Sequence, residues 1–293
     1  MPKVKRGLRL GLLAALFACI GFGAAFAKPP VWTVRSDHAT LVIFGSIHLL
    51  PAGLDWRPPA LDAALQIADE IWFELPITPQ SDAKAAMESQ SLGQLPARQR
   101  LSDLLSPADV QKLRAAATKV RCLPEALDRM RPWMAELALS LAEDAQMGAN
   151  ASDGVEEQVQ AVAPPSVKRR AFETAAQQIK ILADAPLQDQ LASLNWTVGE
   201  IDDDPDSYRR VVDAWMAGDL NALEREAVDP LMTISPALYQ RLLVRRNHQW
   251  VARLRQRLRG SGVIVVVVGV GHLVGPDSVP QLFRAAGLTV EGP

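Results

Sequence analysis

Residues 263–276 read VIVVVVGVGHLVGP. The all-β-branched run Ile264 to Val268 is the most strand-like segment of the chain. It has no polar alternation, which places it in the middle of a parallel sheet with both faces covered. The strand stops at Gly269, and a histidine follows three residues later. Residues 41–51 read LVIFGSIHLLP, the same phrase again: an apolar run, a glycine at 45 and a histidine at 48. The chain has only four histidines, and two of them share this setting more than two hundred residues apart.

Outward from these phrases the pattern is α/β. Val31–Val34 and Leu41–Phe44 flank the polar turn Ser36-Asp37-His38 and predict a hairpin. Pro58-Pro59 opens a helix with Leu61, Ala64, Leu65 and Ala68 at helical spacing, and Ile71-Trp72-Phe73 is a short buried strand ending at Glu74-Leu75-Pro76. This is a β-loop-α-β unit whose two strands run parallel. From Ser81 to Gly148 the pattern is helical, punctuated by Ser106-Pro107 and Arg131-Pro132, and Trp133, Leu137, Leu141 and Ala145 predict a core stripe. Val167 to Phe172 reads as one more strand, despite its three basic residues. Residues 173–260 return to helices, the last running from Pro236 to Leu258 until Gly260-Ser261-Gly262 breaks it. Pro280 to Ala286 closes the chain as a helix. No Pro/Ser-rich linker interrupts residues 28–293. The expected architecture is one α/β domain, a mostly parallel or mixed central sheet flanked by helices, with a large helical insertion between two β-Gly-x-x-His-α units.

The 293 residues, 48% hydrophobic and 22% charged, are ordinary globular material. The first 27 stand apart. Lys3, Lys5, Arg6 and Arg9 precede an apolar run from Leu10 to Phe22, and Ala25-Phe26-Ala27 has the small-x-small pattern of a signal peptidase site. This predicts export to the periplasm or medium, with membrane contact only transient, through the leader. The apolar run is shorter than the roughly 20 residues a bilayer span needs. Leu16-Phe17-Ala18-Cys19 offers a lipoprotein alternative that Phe17 fits poorly. Cleavage would leave 27 basic against 33 acidic residues, so nucleic acid is not the expected partner. Cys122 would remain as the sole cysteine, with no internal disulfide. Nothing in the composition speaks to oligomeric state.

In a mostly parallel sheet, ligands gather outside the carboxyl ends of the strands. His48, Glu74, Glu173 and His272 each fall just past a predicted strand. Two imidazoles and a carboxylate are a frequent three-ligand set for a divalent metal that keeps a position open for water. Singly, Gly-x-x-His is a weak motif, and a histidine after a strand is commonly a hydrogen-bonded structural residue. Glu74 alone reads equally as a helix cap or an ion-pair partner. Repetition after two matched strands is what favours a site. In the long helix, Tyr239, Leu243, Trp250 and Leu254 form an apolar stripe, and Arg246-Asn247 falls inside it. A buried guanidinium needs an anion, whether a structural carboxylate or a substrate. His38 and His248 lack such context and are expected at the surface.

Phe44-Gly45-Ser46-Ile47-His48, Phe73-Glu74-Leu75, Arg131-Pro132-Trp133, Arg246-Asn247 and Gly269-Val270-Gly271-His272-Leu273 occur in the order seen in the TraB/PrgY/GumN family, which includes the Tiki metalloproteases. The resemblance spans roughly residues 31–290. Ala171-Phe172-Glu173-Thr174 resembles that family's Leu-Glu-Thr segment, with Phe172 in place of Leu. The resemblance implies an α/β fold in which two Gly-x-x-His histidines and a glutamate build a metal-dependent peptidase centre. It implies His48, His272, Glu74 and Glu173 as metal ligands, and Glu74, Arg246 and Asn247 as catalytic groups. The ion would be Mn, Co or Zn, and the substrate a peptide or protein. Glu74 is left with two roles, third ligand or general base, and Arg246 with oxyanion stabilisation or the grip of a substrate carboxylate, Asn247 orienting it. Other relatives resemble signalling regulators or haem-binding lipoproteins, so the alternative is an envelope protein that holds a metal or haem without turnover.

Overall fold

In the computed structural model, which describes residues 28–293, the valine run lies at the heart of a six-stranded sheet. The leader expected over residues 1–27 lies outside the described residues. Among the described residues eight strands occur in chain order: β1 (Val31–Arg35), β2 (Ala39–Ser46), β3 (Leu50–Pro51), β4 (Glu70–Phe73), β5 (Ala149–Asn150), β6 (Lys168–Ala171), β7 (Gly262–Gly269) and β8 (Val290–Glu291). The main sheet has the order β6-β4-β7-β2-β1-β8. Its first four strands are parallel, and β1 and β8 continue it antiparallel. β3 and β5 form a small separate pair.

Both faces of β7 are covered, as its unbroken apolar run requires. Val265 and Val267 join one buried cluster with Phe44, Ile71 and Phe73, while Ile264, Val266 and Val268 join another with Leu41, Ile43 and Trp72. Each such burial contributes roughly 1.5–3 kcal/mol of transfer free energy before chain entropy is counted. β2 and β4 are parallel, as expected of the β-α-β unit, but β7 is inserted between them. The strand over 167–172 is present as the edge strand β6, and its basic residues suit an edge: Arg169 binds backbone carbonyls and Arg170 lies 3.8 Å from Glu70. β8 carries no strand signal of its own; it is two residues long and pairs with β1 after the helix Val279–Ala285.

The helical insertion has its own core, in which Ala135 and Leu139 pack with Leu194, Val198 and Ile201. The expected stripe on the helix Pro132–Gln146 is therefore rotated. Trp133, Ala135 and Leu139 are buried, whereas Leu141 is 46% exposed. The neighbouring helix Leu187–Asp203 meets the Ala135–Leu139 face, and tertiary packing decides between two adjacent apolar stripes. The long C-terminal helix runs as predicted, with Tyr239, Leu243, Trp250 and Leu254 buried, but a π-helical turn over Gln240–Val244 widens it just before Arg246. Such turns are frequent at functional sites. Among the described residues, no helix is long and apolar enough to cross a membrane.

On the same insertion, burial pushes the Asp144 carboxyl up to about 6 from 3.8. The native state thus holds a proton there that the unfolded chain has released, and stability falls as pH rises through that window. Asp144→Asn is expected to stabilise the protein above pH 6 by about 1–2 kcal/mol, allowing for partial solvent screening. Thermal melts of the two proteins should converge near pH 4, and equal melting at pH 7 would refute the assignment.

Candidate functional site

The parallel register delivers four strand ends to one edge. Ser46 pairs with Gly269, Phe73 with both Val267 and Ala171. Beyond the last ladder pairs, the Phe172 and Glu173 N–H groups donate to the Phe73 and Glu74 carbonyls, each at 2.9 Å, so the two glutamates leave the sheet side by side. Arg246 reaches between them from the long helix. Its Nη2 pairs with Glu74 Oε2, its Nε donates to Glu173 Oε1 at 2.8 Å, and its Nη1 donates to the Leu242 carbonyl at 2.8 Å and to His272 Nε2 at 3.0 Å. Trp250 Nε1 shares Glu173 Oε1 at 3.1 Å, and its ring lies 4.6 Å from the guanidinium. The anion that a buried Arg246 required is thus a pair of carboxylates, and Arg246 and Glu74 are each only 6% exposed.

Glu74 has further partners. Its Oε1 accepts the Gly269 N–H at 2.7 Å, and Gln178 Nε2 donates to Oε2 at 3.1 Å. Burial acts to raise this carboxyl, but His272, Arg246, His48 and the Gly269 N–H together hold it down at about 2. Burial likewise opposes the charge on Arg246, and Glu74 and Glu173 more than restore it. Glu173 Oε2 is buried with no hydrogen-bond partner among the described residues. Two carboxylates therefore share one guanidinium, and the interior at this edge carries an excess of negative charge.

His272 sits in a short 3-10 turn, Val270–His272, 4% exposed, its ring centroid 4.3 Å from that of Trp250. Its tautomer follows from Asn247. Asn247 Nδ2 donates to the Asp277 carbonyl at 2.8 Å, which fixes the amide and turns Oδ1 toward His272 Nδ1 at 2.5 Å. The proton therefore lies on Nδ1, and the Nε2 lone pair accepts the Arg246 Nη1 N–H. Burial, with Arg246 and His48, pushes the imidazole down to about 3 against the opposing pull of Glu74, so the ring is neutral at physiological pH. Nε2 stands 3.7 Å from Glu74 Oε1.

His48 occupies the opposite side, with its side chain 62% exposed. Its Nδ1 lies 2.6 Å from Glu156 Oε1, which also accepts from Ser46 Oγ at 2.5 Å. The Glu156 carboxylate raises the imidazole to about 9. Glu156 is carried in the first turn of the helix Val155–Val162, which packs against the His48 backbone; a Cβ on Gly154 would fall 2.0 Å from the His48 carbonyl oxygen. Gly269 opens the space between the histidine and the glutamate. A Cβ there would stand 3.2 Å from Glu74 Oε1 and 3.5 Å from His48 Nε2. Outside lies a cleft of about 250 Å3 bordered by His48, Glu74, Leu75, Ile77, Glu156 and Gln178.

Five of the six expected residues, Glu74, Glu173, Arg246, Asn247 and His272, are joined by direct contacts, Glu173 through Arg246 and not through a histidine. The sixth, His48, borders Gly269 beside Glu74 and has Glu156 as its hydrogen-bond partner. His38 and His248 are exposed, away from the site. Sequence reasoning missed Glu156, Ser46 and Gln178. The segment Gly154-Val155-Glu156-Glu157 reads locally as an acidic first helical turn, which is a capping signal and nothing more.

No three His, Cys, Asp or Glu side chains among the described residues stand together at metal-ligand spacing. The donor chemistry nonetheless fits a divalent ion. Each histidine has Nδ1 engaged by an oxygen acceptor, the outer arrangement that orients ligating imidazoles. His272 Nε2 stands 3.7 Å from Glu74 Oε1 and accepts from Arg246 Nη1, a bond that a bound ion would replace, while His48 Nε2 and Glu74 Oε1 both border Gly269.

Among proteins of known sequence, the uncharacterized protein YbaP of Escherichia coli K12 is 26% identical over 244 residues, covering 83% of this chain and 87% of YbaP, and the YbaP of Shigella flexneri matches equally. No solved structure matches. The model of the TraB/PrgY/gumN family matches residues 30–292, essentially the whole described chain, with both Gly-x-x-His phrases inside it, and the protein belongs to that family.

Proposed function

We propose that this chain is an exported, divalent-metal-dependent hydrolase of peptide bonds, with His48, His272 and Glu74 as the residues that would hold the ion. The observation that carries this reading is the matched anchoring of the two imidazoles, Nδ1 on Glu156 and on Asn247, with Nε2 left on the side of Glu74. The unbalanced carboxylate at the same edge supports it, since a cation there would restore neutrality. Peptide as the substrate class rests on the family resemblance.

A bound divalent ion supplies polarisation of the scissile carbonyl and an acidified water. The chain's own residues prepare that chemistry. Asn247 keeps the His272 proton on Nδ1, and Glu156 holds a proton on His48 Nδ1 while favouring the charged ring, whose Nε2 proton a bound ion would have to displace. Arg246 positions the site: with its N–H groups on Glu74, Glu173, Leu242 and His272, it fixes the carboxylate and imidazole against each other. Glu74 retains two roles, ligand through Oε1 or acceptor of the water's proton. The haem-holding alternative draws little from the site, because the cleft is smaller than the usual ligand pocket and is lined by Glu74, Glu156 and Glu157.

Reconstitution of the full chain with zinc, manganese or cobalt is expected to load about one ion per chain, measured by mass spectrometry on folded protein. His48→Ala and His272→Ala should each lower affinity more than about 100-fold, and Glu156→Gln about 10–100-fold, while His38→Ala and His248→Ala leave it unchanged. Full occupancy in either site-histidine variant, or none in the parent, refutes the shared site. Glu74→Gln separates its two roles: lost metal marks a ligand, whereas retained metal with lost cleavage of a peptide library marks a base. Export is checked separately, by N-terminal sequencing of protein from the cell envelope or medium, where the expected first residue is Lys28. An intact Met1 or a lipidated Cys19 would overturn it.

A further inference from the structure

The outer face of the long C-terminal helix carries positive charge that nothing on the helix balances. From Pro236 to Gly260 the sequence contains no Asp or Glu, and Arg245, Arg253, Arg255 and Arg259 are all exposed. The arginine ion pairs among the described residues involve other positions, so Arg245, Arg255 and Arg259 face no carboxylate partner. Arg253 donates to the Phe172 and Ala171 carbonyls at 2.5 and 3.2 Å and lies over the Trp72 ring. These neutral acceptors fix the guanidinium without cancelling its charge.

The patch continues onto the neighbouring edge strand β6. Lys168 and Arg170 are exposed there, and Arg170 and Arg257 share the single carboxylate of Glu70, at 3.8 and 3.4 Å. At the far end of the helix, Arg255 and Arg259 border a hollow of about 330 Å3 beside His38, in which Asp37 is the one carboxylate. Basic side chains at a helix C-terminus complement its dipole, but that effect is confined to the last turn and does not account for Arg245, Arg253 or the β6 pair. The charge is concentrated against the overall balance, since from Lys28 onward the chain has 27 basic and 33 acidic residues.

The shape of the patch selects among anionic partners. From Arg245 to Arg259 it runs about 20 Å along the outside of a helix, at roughly 1.5 Å per residue. Such a row meets a planar array of negative charges with all of its arginines, whereas a small anion meets one or two. The large apolar side chains exposed among the described residues, such as Ile67, Met87, Leu123 and Trp196, lie elsewhere, so the face has nothing to insert between acyl chains. The acidic excess of the whole chain disfavours nucleic acid.

We propose that this basic face docks reversibly, by charge, on a bilayer surface rich in anionic phospholipid, a contact beyond the transient one expected of the leader. Through Trp250, Val251 and Leu254 the helix covers the sheet face of Leu41, Ile43 and Trp72, whereas Val155 and Val159, on the helix that carries Glu156, pack against the opposite face. Docking therefore leaves the cleft beside Glu156 open to solvent. The proposal does not depend on metal or on hydrolysis.

The test is co-sedimentation with vesicles of the chain beginning at Lys28, which contains all three core clusters and lacks the leader that would itself seek the membrane. Binding is expected at low salt to vesicles of equal parts phosphatidylglycerol and phosphatidylcholine. It should vanish on pure phosphatidylcholine and in about 1 M NaCl, where the screening length falls to about 3 Å. Each arginine near the surface contributes about fivefold to the partition coefficient, so the triple variant Arg245→Gln, Arg255→Gln, Arg259→Gln should bind about 100-fold more weakly. Arg245→Gln alone, with about a fivefold loss, serves if that variant does not fold. The same charge removed from exposed positions elsewhere, by Lys84→Gln, Lys112→Gln and Arg114→Gln together, should change binding less than about twofold. Equal loss from the two triple variants, equal binding to neutral vesicles, or no binding to anionic ones would each overturn the proposal. Capture by polyglutamate or by duplex DNA without vesicle binding would also overturn it, assigning the face to an acidic protein or to nucleic acid.

Discussion

The ion pairs of Arg246 with Glu74 and Glu173 hold the carboxyl edge of this protein together. Each partner comes from a different element: Glu74 from the end of β4, Glu173 from the end of β6 and Arg246 from the long helix, with Gly269 of β7 closing the network through its N–H. Desolvating three charged groups costs more than their mutual attraction returns unless nearly every donor and acceptor is engaged. Three of the four carboxylate oxygens and all three guanidinium nitrogens meet partners, and Glu173 Oε2 alone does not. Such a network contributes little net stability; it excludes alternative packings, because a shift of the helix by one turn would strand a charge. The π-helical turn belongs to the same constraint, since it sets where Arg246 projects while its Leu242 carbonyl accepts from Arg246 Nη1.

Around that network the two Gly-x-x-His phrases are not equivalent. In the ladder, Ser46 pairs with Gly269, so Gly45 stands one residue out of step with its counterpart. Beyond the strand ends, His272 follows a 3-10 turn into the interior against Trp250 and is neutral, whereas His48 turns toward the cleft and takes its charge from Glu156. Both rings still bring Nε2 to the side of Glu74. The same sequence phrase supplies one imidazole from within the protein and one from its surface, which leaves the approach from the cleft open.

Much of this was legible before folding. The β-branched run declared a strand covered on both faces because it offers no polar side to solvent, and local pattern placed β1, β2, β4, β6 and β7, five of the six strands of the main sheet, but neither β3 nor β5. The position of Arg246-Asn247 within an apolar stripe required a buried anion, and the shared phrase around His48 and His272 put both at the same edge of the sheet. The helix Pro132–Gln146 shows where periodicity ends: its sequence holds two adjacent apolar stripes, and only the arrival of Leu194 and Val198 chose the one through Ala135 and Leu139 over the one through Leu141.

By itself, then, the sequence determined the local elements, the α/β class and the residues with chemistry to offer, because those follow from propensity, periodicity and the cost of burying charge. Tertiary structure decided which of them meet. That β7 enters between β2 and β4, that Glu156 and not Glu173 partners a site histidine, and that Asn247 sets the proton of His272 are pairings between residues 25 to more than 190 positions apart. Local pattern carries no record of such partners, since a carboxylate in a first helical turn looks the same whether it faces water or an imidazole; only the packing of one element on another removes the water and makes the difference.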